Sequence, residues 1–300
     1  MIVQTLFKEP QTCRSGSLPT PAYSVPAPIS HEALALRQEN SGRVQPLSGE
    51  WKFQPFSGDH DLSSLLQSLP QETPVPCQSA PCGVYLHAFH YHKDKKAPKT
   101  FLGFESGDIH FQLWLNGHYL GCIESAPSGS ELDVTDKIVE GGNILAVLAP
   151  AGFSPEASPA FRNAYLLKRP QQHICDYFVT SRITGAEADV QVWISFVEGS
   201  IPVSVKLMNA DNRIVAKGYV RHVPNSGTSF THQAVLHVKK PHLWNPEAPY
   251  LYTLLLESSC EVITGHVAIR EVRIDNSTLY LNGRSINFPK TSSPGSNSAT

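Results

Sequence analysis

From Val84 onwards the chain never settles into a helical rhythm. Short stretches rich in β-branched and aromatic residues follow one another, closed every 8 to 12 residues or so by Gly, Asn, Asp or Pro. "VYLHAFHYH", "KTFLGFES", "IHFQLWLNGHYLGCIE", "SELDVTDKI" and "NILAVLAP" make the first series, and "FRNAYLLKRP" closes it. After Pro170 come "HICDYFVTSRI", "ADVQVWISFVE", "IPVSVKLMN", "IVAKGYVRHV", "FTHQAVLHVKK", "LYTLLLESS" and "EVITGHVAIREVRI". Nowhere do strands alternate with helical patterns of 10 to 15 residues, so a parallel βα barrel or a Rossmann sheet is excluded from this chain. Within "FQLWLNGHYLGC", Asn116-Gly117 supplies two residues that tolerate positive φ, the strongest short-range hairpin signal.

These patterns predict an all-β chain. The longer first series suits a jelly-roll sandwich over residues 46–170. About seven strands in roughly 100 residues suit an immunoglobulin-like sandwich over residues 171–274. Residues 1–45, with "PTPAYSVPAPIS" at their centre, read as a mostly extended arm carrying one short helical pattern, "HEALALRQE". "DLSSLLQSL" has an Asp N-cap and helical spacing. Residues 275–300 read as a hairpin and a polar tail. Leu281 ends a strand and Asn282-Gly283 turns the chain, but the apolar residues then give out into "TSSPGSNSAT". "TLYLNG" is therefore expected to be an unprotected strand edge.

Hydrophobic residues make up 41% of the 300, and charged ones 17%, enough to bury a core and too apolar for disorder. A net charge of −2 gives no basic footprint for nucleic acid or an anionic membrane. No apolar run approaches the 18 residues of a spanning helix, and the N-terminus lacks the basic and apolar regions of a secretory signal. The six cysteines are accordingly expected to be thiols, and the compartment cytoplasmic.

Candidate chemistry is sparse. Glu124, Glu131 and Asp133 lie close in sequence, but "SELDVT" reads as a turn whose Asp and Thr cap a short helix. On a strand only His90 and His92 of the three histidines His87, His90 and His92 share a face, which is too few for a metal site. A strand end with exposed imidazoles is the expectation for all three. Cys77 and Cys82 flank a Pro-containing loop without a second ligand pair. Trp114 and Trp244 are expected in the core rather than stacked on a sugar. No catalytic, cofactor-binding or metal-ligating residue is assigned.

"FESGDIHFQLWLNGHYLGCIESAPSGSELDVTDKIVEGGNILAVLAP" resembles the sugar-binding jelly-roll domain of family-2 glycoside hydrolases, the β-galactosidase type in particular. "KKPHLWNPEAPYLYTLLLE" is similar to a signature of that family's immunoglobulin-like domain. "IREVRIDNSTLYLNGRSI" resembles the junction at which that domain hands over to a catalytic barrel. The resemblance covers residues 47 to about 287 and makes residues 275–300 a truncated barrel-entry hairpin. It implies that the chemistry belongs to two glutamates on later barrel strands, which a retaining mechanism holds about 5–5.5 Å apart. This sequence contains no Asn-Glu dipeptide, the family's acid/base context. It also departs from the family where the first domain lends residues to the sugar pocket. Ala80 replaces an Asn, and "GFSPEASPAFR" keeps Phe161 and Arg162 but loses the family's Asp, Trp and Ser-Gly. Pro155 and Pro159 remove two backbone donors there.

The expected role is thus the N-terminal, non-catalytic portion of a β-galactosidase-like hydrolase, active on O-glycosyl bonds only if another chain supplies the barrel. The alternative is a free-standing β-sandwich that binds a carbohydrate or a protein without enzyme activity. The expected partners are a barrel-bearing chain or a second copy, and a carbohydrate. Neither nucleic acid nor a membrane is expected, and no cofactor.

Overall fold

The computed structural model describes residues 26–28, 41–55, 82–104, 111–123, 130–150, 164–224, 226–275 and 278–286. Among them there are strands and turns but no α-helix. The patterns "HEALALRQE" and "DLSSLLQSL", Cys77, Ala80, Glu124, the segment 152–162 and the polar tail lie outside the described residues.

The chain divides into two compact units. The first comprises residues 1–176, 195–202 and 257–264, and the second 177–194, 203–256 and 265–300. The first unit therefore runs past Pro170 and takes in two short returns of the chain.

Two antiparallel sheets build the first unit. One has the order β1 (Val44–Pro46), β9 (Tyr165–Arg169), β4 (Lys99–Phe104), β7 (Ser130–Asp133). The other runs β2 (Lys52–Pro55), β3 (Cys82–Tyr91), β8 (Gly141–Pro150), β5 (Phe111–Leu115), β6 (His118–Ile123). Alternation turns Tyr85 and Tyr91 of β3, Leu113 and Leu115 of β5, and Leu145 and Val147 of β8 to one face, where they meet Leu102, Phe104, Leu132 and Leu166 from the other sheet. Fully burying each such side chain contributes roughly 1.5–3 kcal/mol, so this shared core is what holds the sandwich closed. At its centre the Tyr91 hydroxyl lies 2.6 Å from Thr100 Oγ1, so the phenol is satisfied where water cannot reach.

The β5–β6 turn forms as its sequence predicts: Asn116 has φ 51° and Gly117 φ 82°. Ser130–Asp133 is strand rather than helix, pairing with β4 from Phe101↔Asp133 to Phe104↔Ser130. The helical turn begins one residue later, where the amides of Lys137 and Ile138 both reach the Val134 carbonyl at 2.9 Å. Asp133 Oδ1 accepts the Thr135 amide at 2.9 Å and starts that turn.

The later strands form two four-stranded sheets, β10 (His173–Thr184), β11 (Glu187–Val197), β15 (His232–Lys239), β14 (Arg221–His222), and β13 (Ile214–Tyr219), β12 (Ser204–Met208), β16 (Tyr252–Glu257), β17 (Val262–Val267). β11 buries Ala188, Val190, Val192 and Ile194 and turns the residues between them outward, as a half-buried strand should. β15 does the same with Ala234, Leu236 and Val238.

A last, three-stranded sheet has the order β18 (Val272–Asp275), β19 (Thr278–Leu281), β20 (Arg284–Ile286). It corrects one expectation. The chain does return after Asn282 (φ 50°) and Gly283 (φ 78°), and Leu281 pairs with Arg284. "TLYL" is therefore the central strand, and β18 is an edge. The return was hidden because Arg284 and Ser285 are exposed residues of a small sheet, held there by backbone pairing rather than by apolar periodicity.

Candidate functional site

The sequence candidates do not converge. Glu131 accepts a hydrogen bond from the Tyr165 hydroxyl at 3.2 Å, while Asp133 is occupied with its turn. His90 and His92 do share a face, with ring centroids 5.5 Å apart, and both are exposed. His92 Nδ1 lies 2.9 Å from Glu140 Oε1, and the other oxygen of Glu140 accepts the Lys93 amide at 2.7 Å. Those hydrogen bonds, the backbone one foremost, hold the Glu140 carboxyl below the usual range.

His87 corrects the picture of three exposed imidazoles. It points inward, 3% exposed, stacked on Trp51 at 4.9 Å, and burial lowers its pKa. Its Nδ1 lies 3.2 Å from the Glu50 carbonyl, which calls for a proton on that nitrogen. Alternation explains the placement: His87 lies on the same side of β3 as Tyr85 and Tyr91. No group of three or more His, Cys, Asp or Glu among the described residues is placed to hold a metal ion.

The tryptophans are a second correction, since neither is a core residue. Trp114 is half-buried against Tyr119, ring centroids 5.2 Å apart, on the β5–β6 hairpin. Trp244 is half-buried beneath the Arg270 guanidinium, 4.8 Å from its centroid. Its carbonyl accepts Asn282 Nδ2 at 2.9 Å, which ties the "LWNPEAP" segment to the β19–β20 turn.

Two polar centres of the first unit carry no periodic mark in the sequence. Asn143, 2% exposed, bonds through Oδ1 to the Val139 amide (3.0 Å) and Asn116 Nδ2 (2.8 Å), and through Nδ2 to the carbonyls of Val139 (2.8 Å) and Gly141 (3.0 Å). Asn116 Oδ1 in turn accepts the Ile144 amide at 3.0 Å. The two amides thus fix the β5–β6 hairpin to the turn before β8.

The other centre is charged. Arg43, Arg169, His173 and Glu261 are 3%, 3%, 3% and 1% exposed. Arg43 Nη1 pairs with Asp94 at 2.7 Å and Nη2 donates to the Cys260 carbonyl at 3.1 Å. Arg169 Nη1 donates to the Ile174 carbonyl at 3.1 Å, and the Ile174 amide donates to Glu261 Oε1 at 2.6 Å. Next to them Ala27 and Val262 exchange two backbone bonds of 2.9 Å. Burial, ahead of the Arg169 charge, holds His173 down at about 4, with Nδ1 2.9 Å from the Pro170 carbonyl. Burial also pushes the Glu261 carboxyl up, against the pull of the Ile174 amide and of two guanidiniums. Arg43 Nε, Arg169 Nε and Glu261 Oε2 have no hydrogen-bond partner. A group this enclosed admits no substrate. It joins segments 41–43, 169–174 and 260–262 of one unit.

The family described as glycosyl hydrolases family 2 matches residues 172–270. The β-galactosidase of Actinobacillus pleuropneumoniae is 26% identical to this chain, the match covering 96% of this chain and 31% of that protein. That of Staphylococcus xylosus is 28% identical over 84% of this chain and 28% of its own length. The chain therefore spans less than a third of the length of these curated relatives. A β-glucuronidase from Ruminococcus gnavus superposes with a TM-score of 0.62 at 19% identity, over 81% of this chain and 47% of that one, a likeness of fold. The residues matched and the curated relatives agree: residues 172–270 match glycosyl hydrolases family 2, and the chain is similar to a part, less than a third, of the β-galactosidases compared.

Proposed function

We propose that this chain is the sandwich portion of a β-galactosidase-like hydrolase, acting in carbohydrate metabolism and in the cytoplasm. Hydrolysis of O-glycosyl bonds would then require a barrel that brings two carboxylates to the sugar. The reading rests on one observation: relatives named β-galactosidase align with 96% and 84% of this chain, while it spans only 31% and 28% of them. The exposed apolar side chains of β18, Val272 at 54% and Ile274 at 74%, favour a covering partner, either a barrel-bearing chain or a second copy. No helix among the described residues is long and apolar enough to cross a membrane.

Co-expression tests the reading. This chain would be produced with the product of any adjacent reading frame that begins with barrel strands, and hydrolysis of nitrophenyl β-galactoside measured. The pair is expected to be active and each chain alone inactive. An inactive pair that co-purifies, or the absence of such a frame, would favour a stand-alone binding module instead.

A further inference from the structure

The tripeptide Leu-Asn-Gly occurs twice, at residues 115–117 and 281–283, and both copies turn the chain through positive φ. Positive φ alone does not account for the asparagine, because glycine adopts it without strain. The hydrogen bonds do. In the first copy the Asn116 amide donates to the Ile144 carbonyl at 2.9 Å, and Oδ1 accepts the Ile144 amide at 3.0 Å. Its Nδ2 donates to the Lys137 carbonyl at 3.0 Å, as well as to Asn143. In the second copy the Asn282 amide donates to the Glu271 carbonyl at 2.8 Å, and Oδ1 accepts the Glu271 amide at 3.0 Å. Its Nδ2 donates to the Trp244 carbonyl at 2.9 Å. Each asparagine thus closes both backbone groups of one residue on a neighbouring strand and reaches a carbonyl of a third segment. Glycine would keep the turn and lose both side-chain contacts.

The surroundings of the two copies differ. Leu115, beside Asn116, belongs to the main core of the first unit. The sheet that Asn282 closes has almost no core. Among the described residues of β18, β19 and β20 only Leu281 is buried. Three strands without a buried apolar face are not stable alone. What fixes this sheet lies at its root, in residues 269–271. The Ile269 carbonyl accepts the Trp244 amide at 2.9 Å. The Arg270 amide donates to Ser181 Oγ at 3.1 Å, and that hydroxyl donates to the Arg270 carbonyl at 2.7 Å. Glu271 comes next and is held on both sides by Asn282.

We propose that Asn282 is a clasp: its side chain keeps the core-poor β18–β20 sheet docked on the Trp244 segment, and without it that sheet opens as a unit while the rest of the chain stays folded. The position calls for one donor and one acceptor on a short side chain at positive φ, which asparagine supplies and glycine does not. The inference is independent of the proposed hydrolase role, because it concerns one sheet of this chain alone.

Amide hydrogen exchange of the full chain, read by mass spectrometry, tests it. In the wild type the amides of β18–β20 should be protected. Asn282→Gly should speed their exchange at least about tenfold, since two hydrogen bonds are lost. Exchange in β11 and β16 should not change, because the opening is confined to the sheet. Trypsin should cut after Arg270 and Arg273 faster by a similar factor. Asn282→Asp keeps the acceptor for Glu271 and loses the donor to Trp244, so a few-fold increase is expected there. Should Asn282→Gly not fold, by circular dichroism, Asn282→Asp carries the test with the same outcomes. Unprotected β18–β20 amides in the wild type, exchange in the variant equal to wild type, or acceleration spread evenly over all strands would each overturn the inference.

Discussion

The two units treat polar and apolar groups in opposite ways. Among the described residues, every buried polar side chain belongs to the first unit, from Ser41 and Arg43 through Asn143 and Arg169 to Glu261 and Thr264. The large apolar side chains left exposed lie mostly in the second: Phe178, Ile214, Val215, Tyr219, Val235, Leu251, Val272 and Ile274, against Tyr119, Val139 and Ile144 in the first. The first unit encloses its polar groups, although Arg43 Nε, Arg169 Nε, Glu261 Oε2 and Thr264 Oγ1 lack a hydrogen-bond partner there. The second has a core but keeps apolar surface in water, which monomeric proteins ordinarily limit. The contrast teaches that the two units divide the burden differently: one encloses polar side chains, and the other leaves large apolar ones exposed.

The largest effect is expected at Asn143. Replacing it with Leu would take the acceptor from the Val139 amide, the donor from the Val139 and Gly141 carbonyls, and one of the bonds made by Asn116 Nδ2. At 1–3 kcal/mol per orphaned group, partly relieved by relaxation, Asn143→Leu should cost about 3–4 kcal/mol in urea unfolding. A loss below about 1 kcal/mol would show that the network is dispensable.

Acid should act next. An unfolded histidine takes up a proton below about 6.5, whereas folded His173 resists protonation down to about 4. Between those values the unfolded state binds more protons, so stability falls as pH falls, by about 2–3 kcal/mol once below pH 4. Glu261 acts in the opposite sense. Its folded pKa lies above the ordinary 4.5, so its contribution is complete below 4.5 and fades as pH rises through the elevated value. Unfolding curves from pH 3 to 8 should therefore show a shallower acid-side decline in His173→Phe. In Glu261→Gln they should be level or higher at neutral pH, the amide oxygen still accepting from Ile174.

The smallest effect on stability is expected in the second unit. Val272→Ser with Ile274→Ser removes apolar groups that are already in water, so unfolding should shift by less than about 0.5 kcal/mol. The same double variant should reduce self-association in light scattering across a concentration series. A large stability loss with unchanged association would erase the contrast between the units.

Much of this was legible in the sequence. Strands announce themselves because one face must be buried, which writes period-2 alternation into β11 and β15. Asn-Gly turns announce themselves because few other residues tolerate positive φ, as at Asn116-Gly117 and Asn282-Gly283. Buried charge leaves no such mark. Arg43, Arg169 and Glu261 come together from segments 126 and 92 residues apart in sequence, a pairing that no local pattern records. His87 could have been placed inward by continuing the alternation from Tyr85, whereas Trp114 and Trp244 sit where a hairpin and a turn, rather than hydrophobicity, put them. The aromatic cluster was hidden for a related reason: Phe178, Trp193 and Phe230 each read as ordinary strand or loop residues until the sheet packs their rings together.

The proposal that this chain is the sandwich portion of a β-galactosidase-like hydrolase, inactive by itself, is tested most directly by activity. The purified 300-residue chain would be incubated with nitrophenyl β-galactoside, β-glucuronide and β-mannoside, and nitrophenol release followed. No steady release above the rate without protein is the predicted result, because the chain spans less than a third of the β-galactosidases it is similar to. Steady turnover of any of these substrates that survives repurification would contradict the account.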